Sequence, residues 1–304
     1  MDLRMLGPFE VWDGSHQLRL DSGTQRTLLA VLAIQRNVVV STDRIIDALW
    51  GDDPPSSPLR TLRYHVSKLR STLGDVAVHV VTRSPGYLLE VDPGGIDVHR
   101  FEAMAAEGRD LITEEPERAA RMLVEALGMW RGSALVDFEY ESLARGEITR
   151  LEELRLSVME DRIAADLAAG RHNDLVGELQ VLVAEHPLRE RLWGQLMTAL
   201  DALGTFAGWN DPDAFLALIA LAGVCTETDA VTAVRRYGAA QAIRARKKLA
   251  LAAHEAQAMD ENCARLRAAL GEASFERERA TGEEMTTEEV VAFARDALQP
   301  GPTK

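Results

Sequence analysis

The sequence predicts a mainly α-helical protein with a small β component, and two patterns support this fold class. Over the first 20 residues, apolar side chains alternate loosely around an Asp13-Gly14 turn, which is typical of a short β-hairpin. From Ser22 the apolar residues instead recur every three or four positions, and from Asp97 this helical period is almost continuous. A chain of 304 residues is long enough for two or three domains, each with its own core.

Composition indicates a water-soluble globular protein. Hydrophobic residues make up 46% of the chain and charged residues 27%, which are ordinary values for such proteins. No apolar run reaches transmembrane length, and the N-terminal segment lacks the basic start and apolar core of a signal peptide. Cys225 and Cys263 form neither a disulfide framework nor a metal-binding spacing. We therefore expect a cytoplasmic protein without membrane contact.

Three helices are predicted between residues 22 and 74. The first has its apolar residues between Leu28 and Ile34, and a strand-like Val38-Val39-Val40 follows it. Ser41 or Thr42 can cap the second helix, which extends to Trp50. A break rich in Pro and Ser at 51–58 then separates the second helix from the third.

The third helix, from Leu59 to Leu73, has two chemically different faces. Gly74 ends it, as a left-handed C-terminal residue does. Its apolar stripe consists of Leu59, Leu62, Val66, Leu69 and Leu73. The other face is basic and rich in hydrogen-bond donors, and it comprises Arg60, Arg63, Tyr64, Ser67, Lys68 and Arg70. Such a face can contact phosphates and base edges in a major groove. Taken alone, the segment is equally consistent with a solvated surface helix.

A second β-hairpin follows this helix. Strand-like segments beginning at His79 and Tyr87 flank a tight turn of Arg83-Ser84-Pro85-Gly86. The order of strands, three helices and a hairpin is that of a winged helix-turn-helix, in which the third helix enters the major groove and the hairpin forms the wing. A mere surface helix has no reason to be followed by a wing, so the order of elements favours DNA binding.

The net charge of −14 is unevenly distributed. Residues 1–96 carry 10 Lys and Arg against 11 Asp and Glu, whereas residues 97–200 carry 12 against 21. Residues 60–87 hold five basic side chains and a single acid, Asp75. A basic patch beside an acidic remainder fits one DNA-reading face on a protein that otherwise avoids nonspecific DNA binding.

The helical part of the chain divides at a second break. Helix pairs of about 34 residues, with Pro187 at a pair boundary, predict tetratricopeptide-like repeats. Gly204, Gly208 and Pro212 interrupt the next expected helix, and a further helical tail follows. The predicted domains are a winged helix-turn-helix at 1–96, an all-α tetratricopeptide-like domain at 97–203 and a helical C-terminal region at 204–304.

Motifs of catalysis are absent from the sequence. It contains no GxxxxGK[ST] phosphate loop, no GxSxG and no dense Cys/His cluster. His254-Glu255 lacks the second histidine of a zinc helix, because Ala258 stands at that position. We expect no enzyme activity, no cofactor and no metal site.

Residues 1–200 resemble the SARP family of antibiotic-pathway transcriptional activators, which join a response-regulator-type winged helix to a bacterial transcriptional activation domain. The matching phrases are ordered and correctly spaced. They are Leu6-Gly-Pro-Phe-Glu-Val, Arg44-Ile-Ile-Asp-Ala-Leu-Trp-Gly, Leu62-Arg-Tyr-His-Val-Ser-Lys-Leu-Arg, Gly86-Tyr-Leu-Leu-Glu-Val and Asp97-Val-His-Arg-Phe-Glu.

The resemblance implies binding to direct repeats in promoter DNA, as a possible homodimer, and recruitment of RNA polymerase through a sigma factor. It also implies which residues contact DNA. By position, Arg83 and Tyr87 fall on the wing, although Tyr87 is equally consistent with the hairpin core. The recognition helix then carries Arg60, Arg63, Tyr64, Ser67, Lys68 and Arg70.

The C-terminal region departs from the family pattern. From about residue 233 it resembles the C-terminal end of large ATPase-containing regulators, although the chain has no phosphate loop. One hypothesis is therefore a shortened large regulator without the nucleotide-binding part. An alternative function also stays open: a helical protein-interaction scaffold anchored to DNA, which acts as a repressor or as a competitor that does not activate.

Overall fold

A computed structural model confirms the predicted fold class, a mainly α-helical chain with an N-terminal winged helix-turn-helix. It describes residues 2–20, 23–74, 78–187, 189–203, 229–247, 253–286 and 289. The chain forms two compact units, residues 1–165 and 166–304. The predicted break at 204–212 lies outside the described residues.

The first unit begins with two small sheets and three helices. The N-terminal sheet has the antiparallel order β1-β2-β3, with β1 at Asp2–Arg4, β2 at Glu10–Asp13 and β3 at His16–Gln17. The helices are α1 at Gly23–Ile34, α2 at Thr42–Trp50 and α3 at Pro58–Leu73. The second sheet has the antiparallel order β4-β6-β5, with β4 at Val40–Ser41, β5 at Val78–Arg83 and β6 at Gly86–Val91.

Local sequence patterns explain most of these bounds. The Ser41 hydroxyl accepts a hydrogen bond from the Arg44 amide at 3.3 Å, so the predicted cap of α2 is confirmed. Gly74 ends α3 with a φ of 67°, a left-handed value that glycine adopts without strain. The predicted apolar stripe is wrong at one position. Leu59 is 52% exposed, because it lies in the first turn of α3, before the helix reaches the core.

Three further helices complete the first unit and share its core. They are α4 at Asp97–Asp110, α5 at Pro116–Leu127 and α6 at Ser142–Ala168, the last of which extends just past the end of the unit. The core is one continuous cluster, in which Leu3 of β1 and Leu62 of α3 belong together with Phe101 of α4. The predicted boundary at 96/97 therefore does not separate two hydrophobic cores.

Asp97 joins the N-terminal segment to α4. Its buried carboxylate accepts hydrogen bonds from the Met5 amide at 2.8 Å and the Leu6 amide at 3.1 Å. Arg131 lies 3.4 Å from the same carboxylate and donates its own amide to the Leu6 carbonyl. Burial raises the pKa of Asp97 above its usual value, although both amides and Arg131 act to lower it. These contacts attach the winged helix-turn-helix to the helices that follow it.

A second polar contact crosses this joint, between Arg36 and His99. The Arg36 Nε donates to His99 Nε2 at 2.7 Å, so this ring nitrogen must be an acceptor and the imidazole neutral. Burial, followed by the charges of Arg36 and Arg150, lowers the pKa of His99 against an opposing effect of Glu102. The folded chain therefore disfavours a proton that the unfolded chain readily takes up.

We expect the free energy of unfolding to fall as the pH drops below about 6.5, with His99 responsible for part of the decrease. The substitution His99→Gln keeps an acceptor for Arg36 but cannot titrate, so it should reduce this pH dependence. Urea titrations of both chains at about pH 7.5 and about pH 5.5 measure the effect. An identical pH dependence in the two chains would contradict the assignment.

The second unit is helical throughout its described part. Its helices are α7 at His172–Glu185, α8 at Glu190–Ala202, α9 at Ala230–Lys247, α10 at Ala253–Leu270 and α11 at Glu272–Glu283. The helices α7 and α8 pack against each other, and α9 packs mainly against α11. The sequence predicted a helical C-terminal region but did not give the bounds of α11 within it. Within the described ranges, no helix is long and apolar enough to span a membrane.

Candidate nucleic-acid interface

The orientation of α3 is fixed by its apolar side. Pro58 occupies the first turn, where a missing amide hydrogen costs nothing. From there, four side chains spaced along the helix are buried against α1 and α2, and they are Leu62, Val66, Leu69 and Leu73. The opposite side of the helix consequently faces solvent, with β5 of the wing beside its last turn.

All six of the contact residues predicted on α3 are exposed to solvent. They are Arg60, Arg63, Tyr64, Ser67, Lys68 and Arg70. Tyr64 is 58% exposed, an unusual value for so large a residue. Arg60 and Arg63 form no hydrogen bond or ion pair within the part of the chain that the structure describes. Their guanidinium groups are therefore available to a ligand, and the planar donor fork suits guanine edges and phosphates.

The ring of Tyr64 packs against His65, and His65 in turn lies beside Trp50; both of these rings are half-buried. The His65 ring makes an edge contact with Tyr64 at a centroid distance of 5.5 Å, and it lies 6.4 Å from the ring of Trp50 on α2. Burial lowers the pKa of His65, which favours the neutral ring. His65 thus has a packing role in this arrangement and does not add a positive charge to the exposed face.

The wing is the hairpin of β5 and β6. Of the two DNA-contact residues predicted there, one is exposed and the other is buried. Arg83 is exposed at the end of β5, next to the turn at Ser84-Pro85. Tyr87 is only 8% exposed and belongs to the hydrophobic core. The structure thus places Tyr87 in the hairpin core, which is the alternative that the sequence left open. Tyr87 is therefore not among the proposed DNA contacts.

Arg70 differs from the other cations of α3. Its Nε donates to the Val80 carbonyl at 2.6 Å, and its Nη2 donates to the Thr82 hydroxyl at 2.8 Å. Both acceptors belong to β5. Two of its five N–H groups are therefore already engaged by the wing.

The tip of the wing is fixed to the start of α2. The Pro85 carbonyl accepts from the Thr42 amide at 3.2 Å and from the Thr42 hydroxyl at 3.0 Å. Gly86 lies against β4 so closely that a Cβ atom there would come within 1.8 Å of the Val40 carbonyl oxygen. The sequence pattern indicated Thr42 only as a possible helix cap, because its partner lies 43 residues away.

No side-chain cluster in the described residues suggests a metal ion. Groups of three or more His, Cys, Asp or Glu with suitable positions do not occur among them. The arrangement offers cationic and hydrogen-bonding groups on a protruding helix with a wing beside it, and these groups can bind a nucleic acid.

Family models match both parts of this architecture. Residues 16–89 match the model described as "Transcriptional regulatory protein, C terminal". Residues 96–207 match the model described as "Bacterial transcriptional activator domain". The boundary between the two matches lies close to the predicted boundary at 96/97.

Several characterised regulators are similar to the chain. Regulatory protein DnrI of Streptomyces peucetius is 37% identical over 215 residues, which cover 67% of this chain and 79% of DnrI. Transcriptional regulator RedD of Streptomyces coelicolor is 37% identical over 67% of this chain and 60% of RedD. Regulatory protein AfsR of Streptomyces griseus is 39% identical over 64% of this chain, but the match spans only 20% of AfsR.

A solved structure extends the likeness to the fold of nearly the whole chain. The structure of Mycobacterium tuberculosis EmbR in complex with a low affinity phosphopeptide has a TM-score of 0.64 and 26% sequence identity. The superposition covers 92% of this chain and 68% of EmbR. Together with the two family models and the identity to DnrI, the winged fold shows that the chain belongs to the SARP family of transcriptional activators.

Proposed function

We propose that the chain binds promoter DNA in a sequence-specific manner, with α3 in the major groove. One observation carries this proposal. Within the described residues, the guanidinium groups of Arg60 and Arg63 form no hydrogen bond or ion pair, and they lie on the solvent face of a helix whose other face is buried in the core. A rigid, protruding cationic helix is the feature that a winged helix-turn-helix uses to read DNA.

The contact residues have different chemical roles in this proposal. Arg63 lies near the middle of the exposed face and reads a base edge, since an Arg-to-guanine pair is the commonest specific contact in the major groove. Lys68 is a second candidate for base contact. Phosphates are contacted by Arg60 on the helix and by Arg83 on the wing, whereas Tyr64 and Ser67 donate hydroxyl hydrogens.

The family membership supports a wider proposal. The chain acts in the cytoplasm, where two copies occupy direct repeats in a promoter of a biosynthetic gene cluster. The helical region then recruits RNA polymerase through a sigma factor and activates transcription. Similarity to DnrI and RedD supports this role, because both are named as regulators.

The substitution Arg63→Ala should weaken sequence-specific binding by about 1–3 kcal/mol, because a bidentate base contact is lost. The measurement is a gel shift with a duplex that the wild-type chain selects from a random-sequence library. Arg121→Ala is a matched control, since Arg121 is also exposed but lies on α5 in the acidic part of the chain. Unchanged affinity in the Arg63 variant would remove α3 from the reading face.

In vitro transcription separates activation from the alternative function. The assay combines the selected duplex upstream of a promoter with the RNA polymerase holoenzyme of Streptomyces coelicolor, the source of RedD. An activator increases the amount of transcript when it occupies the site. Occupancy in a footprint without an increase in transcript would instead support a repressor or a competitor that does not activate.

A further inference from the structure

The sequence places Arg70 and Arg63 on the same face of α3. They are seven residues apart, which corresponds to about two full turns of helix, so the two side chains leave the helix in nearly the same direction. The two residues differ in their position along the helix axis. Arg70 lies about 10 Å further along the axis, in the last turn of α3.

At the position of Arg70 along the axis, the wing lies next to α3. β5 is an edge strand of its sheet, with β6 on one side only. The Arg70 guanidinium donates to the Val80 carbonyl and the Thr82 hydroxyl of β5 at 2.6 and 2.8 Å. Both bonds are short and have a charged donor, the kind of hydrogen bond that contributes most.

We propose that Arg70 is a positioning residue, which holds the wing at a fixed distance from the recognition helix instead of reading DNA itself. This inference rests on the proposed function, since it assumes that α3 and the wing contact the same duplex. Thr42 fixes the turn of the wing at Pro85, and Arg70 fixes the edge strand β5 at Val80 and Thr82. The two attachments set the spacing between the major-groove and wing contacts in advance of binding, so less ordering is required on association.

Two conservative substitutions distinguish positioning from direct contact. Arg70→Lys keeps the positive charge but removes the planar fork that reaches two acceptors at once. Thr82→Val removes the hydroxyl that accepts from Arg70 and leaves the arginine and its charge intact. If Arg70 positions the wing, both variants should bind the selected duplex about tenfold more weakly, and the double variant should lose little more than either single one.

The footprint provides a readout that a general loss of stability does not alter. Both variants should lose hydroxyl-radical protection of the sugar-phosphate backbone beside the wing while they keep protection of guanine N7 in the major groove. The salt dependence of binding should retain its wild-type slope in Thr82→Val, because no cation has been removed. Thermal melts followed by circular dichroism identify any variant that has lost its fold.

A direct phosphate contact predicts a different set of results. Arg70→Lys would then bind like the wild-type chain, Thr82→Val would have no effect, and Arg70→Ala would reduce the salt slope by about one. These results would overturn the positioning role even though α3 still reads DNA. Failure of the proposed function itself is recognised separately, because Arg63→Ala would then bind the duplex as well as the wild-type chain does.

Discussion

The substitution Gly86→Ala should abolish specific DNA binding and lower the free energy of unfolding by about 3 kcal/mol or more. An added Cβ atom would lie 1.8 Å from the Val40 carbonyl oxygen and 2.8 Å from the Ser41 Cα atom. Both are backbone atoms, which cannot turn aside as a flexible side chain does. β4 must therefore move away from β6, and the pairing of Val40 with Tyr87 and of Ser41 with Gly86 is lost.

The same displacement reaches the proposed DNA-binding face. Thr42 follows β4 directly and donates both its hydrogen bonds to Pro85, so a shift of β4 frees the tip of the wing. Gly94→Ala is a suitable control, because an added Cβ atom at Gly94 meets nothing within 4 Å. Urea titrations and gel shifts with the selected duplex measure both effects. A Gly86 variant as stable as the Gly94 variant would contradict the prediction, because it would show that β4 and β6 can separate without lowering the free energy of unfolding.

The second large effect is expected in the C-terminal unit, where α9 and α11 are in backbone contact. A Cβ atom at Gly282 would lie 2.0 Å from the Arg235 carbonyl oxygen, and one at Gly238 would lie 2.2 Å from the Arg279 carbonyl oxygen. Because each glycine lacks a Cβ atom, the backbone of the other helix can approach it this closely. The substitution Gly282→Ala should separate the two helices and destabilise their packing by about 3 kcal/mol.

This separation also opens the small core beside the contact. Tyr237 and Phe275 are 2% and 1% exposed, and the ion pair between Arg235 and Glu278 at 2.7 Å spans the same two helices. Hydrogen-deuterium exchange should therefore show faster exchange at 230–247 and 272–283 in the variant.

Gly177→Ala is the matched control for this experiment. Gly177 is also helical, but it lies on the exposed side of α7, and nothing is within 4 Å of an added Cβ atom. Alanine is the better helix former by about 1 kcal/mol, so this control should leave the second unit as stable as before or slightly more stable. Equal exchange rates at 272–283 in the Gly282 variant and the wild-type chain would contradict the close packing.

Much of the architecture was predictable because it depends on short-range patterns. The period of apolar residues identified α3, and the order of strands, helices and hairpin identified the winged fold that the structure confirms. The cap at Ser41 and the end of α3 at Gly74 follow from residues within one turn of the helix terminus. For α11, by contrast, the many charged residues conceal the apolar face, so the sequence predicted a helical region there but not the bounds of this helix.

The joint between the DNA-binding fold and the helical region was beyond any such pattern. Asp97 accepts hydrogen bonds from amides that are 91 and 92 residues distant in the chain. A carboxylate at the start of a helix is favourable wherever it occurs, because it complements the helix dipole. The sequence therefore gave no indication that this particular one also joins the N-terminal segment to α4.

The sequence by itself determined the fold class, the family resemblance and the face of α3 that is presented to solvent. These properties depend on which residue types recur within a few turns, and such periodicity is present in the chain before it folds. Only the tertiary structure decided which of these polar groups are buried and which hydrogen-bond partners they have. It leaves Arg63 uncommitted, engages Arg70 with the wing and buries Tyr87 in the core. A hydrogen bond requires its two atoms to lie about 3 Å apart, and for these groups the neighbouring atoms come from other elements of the fold.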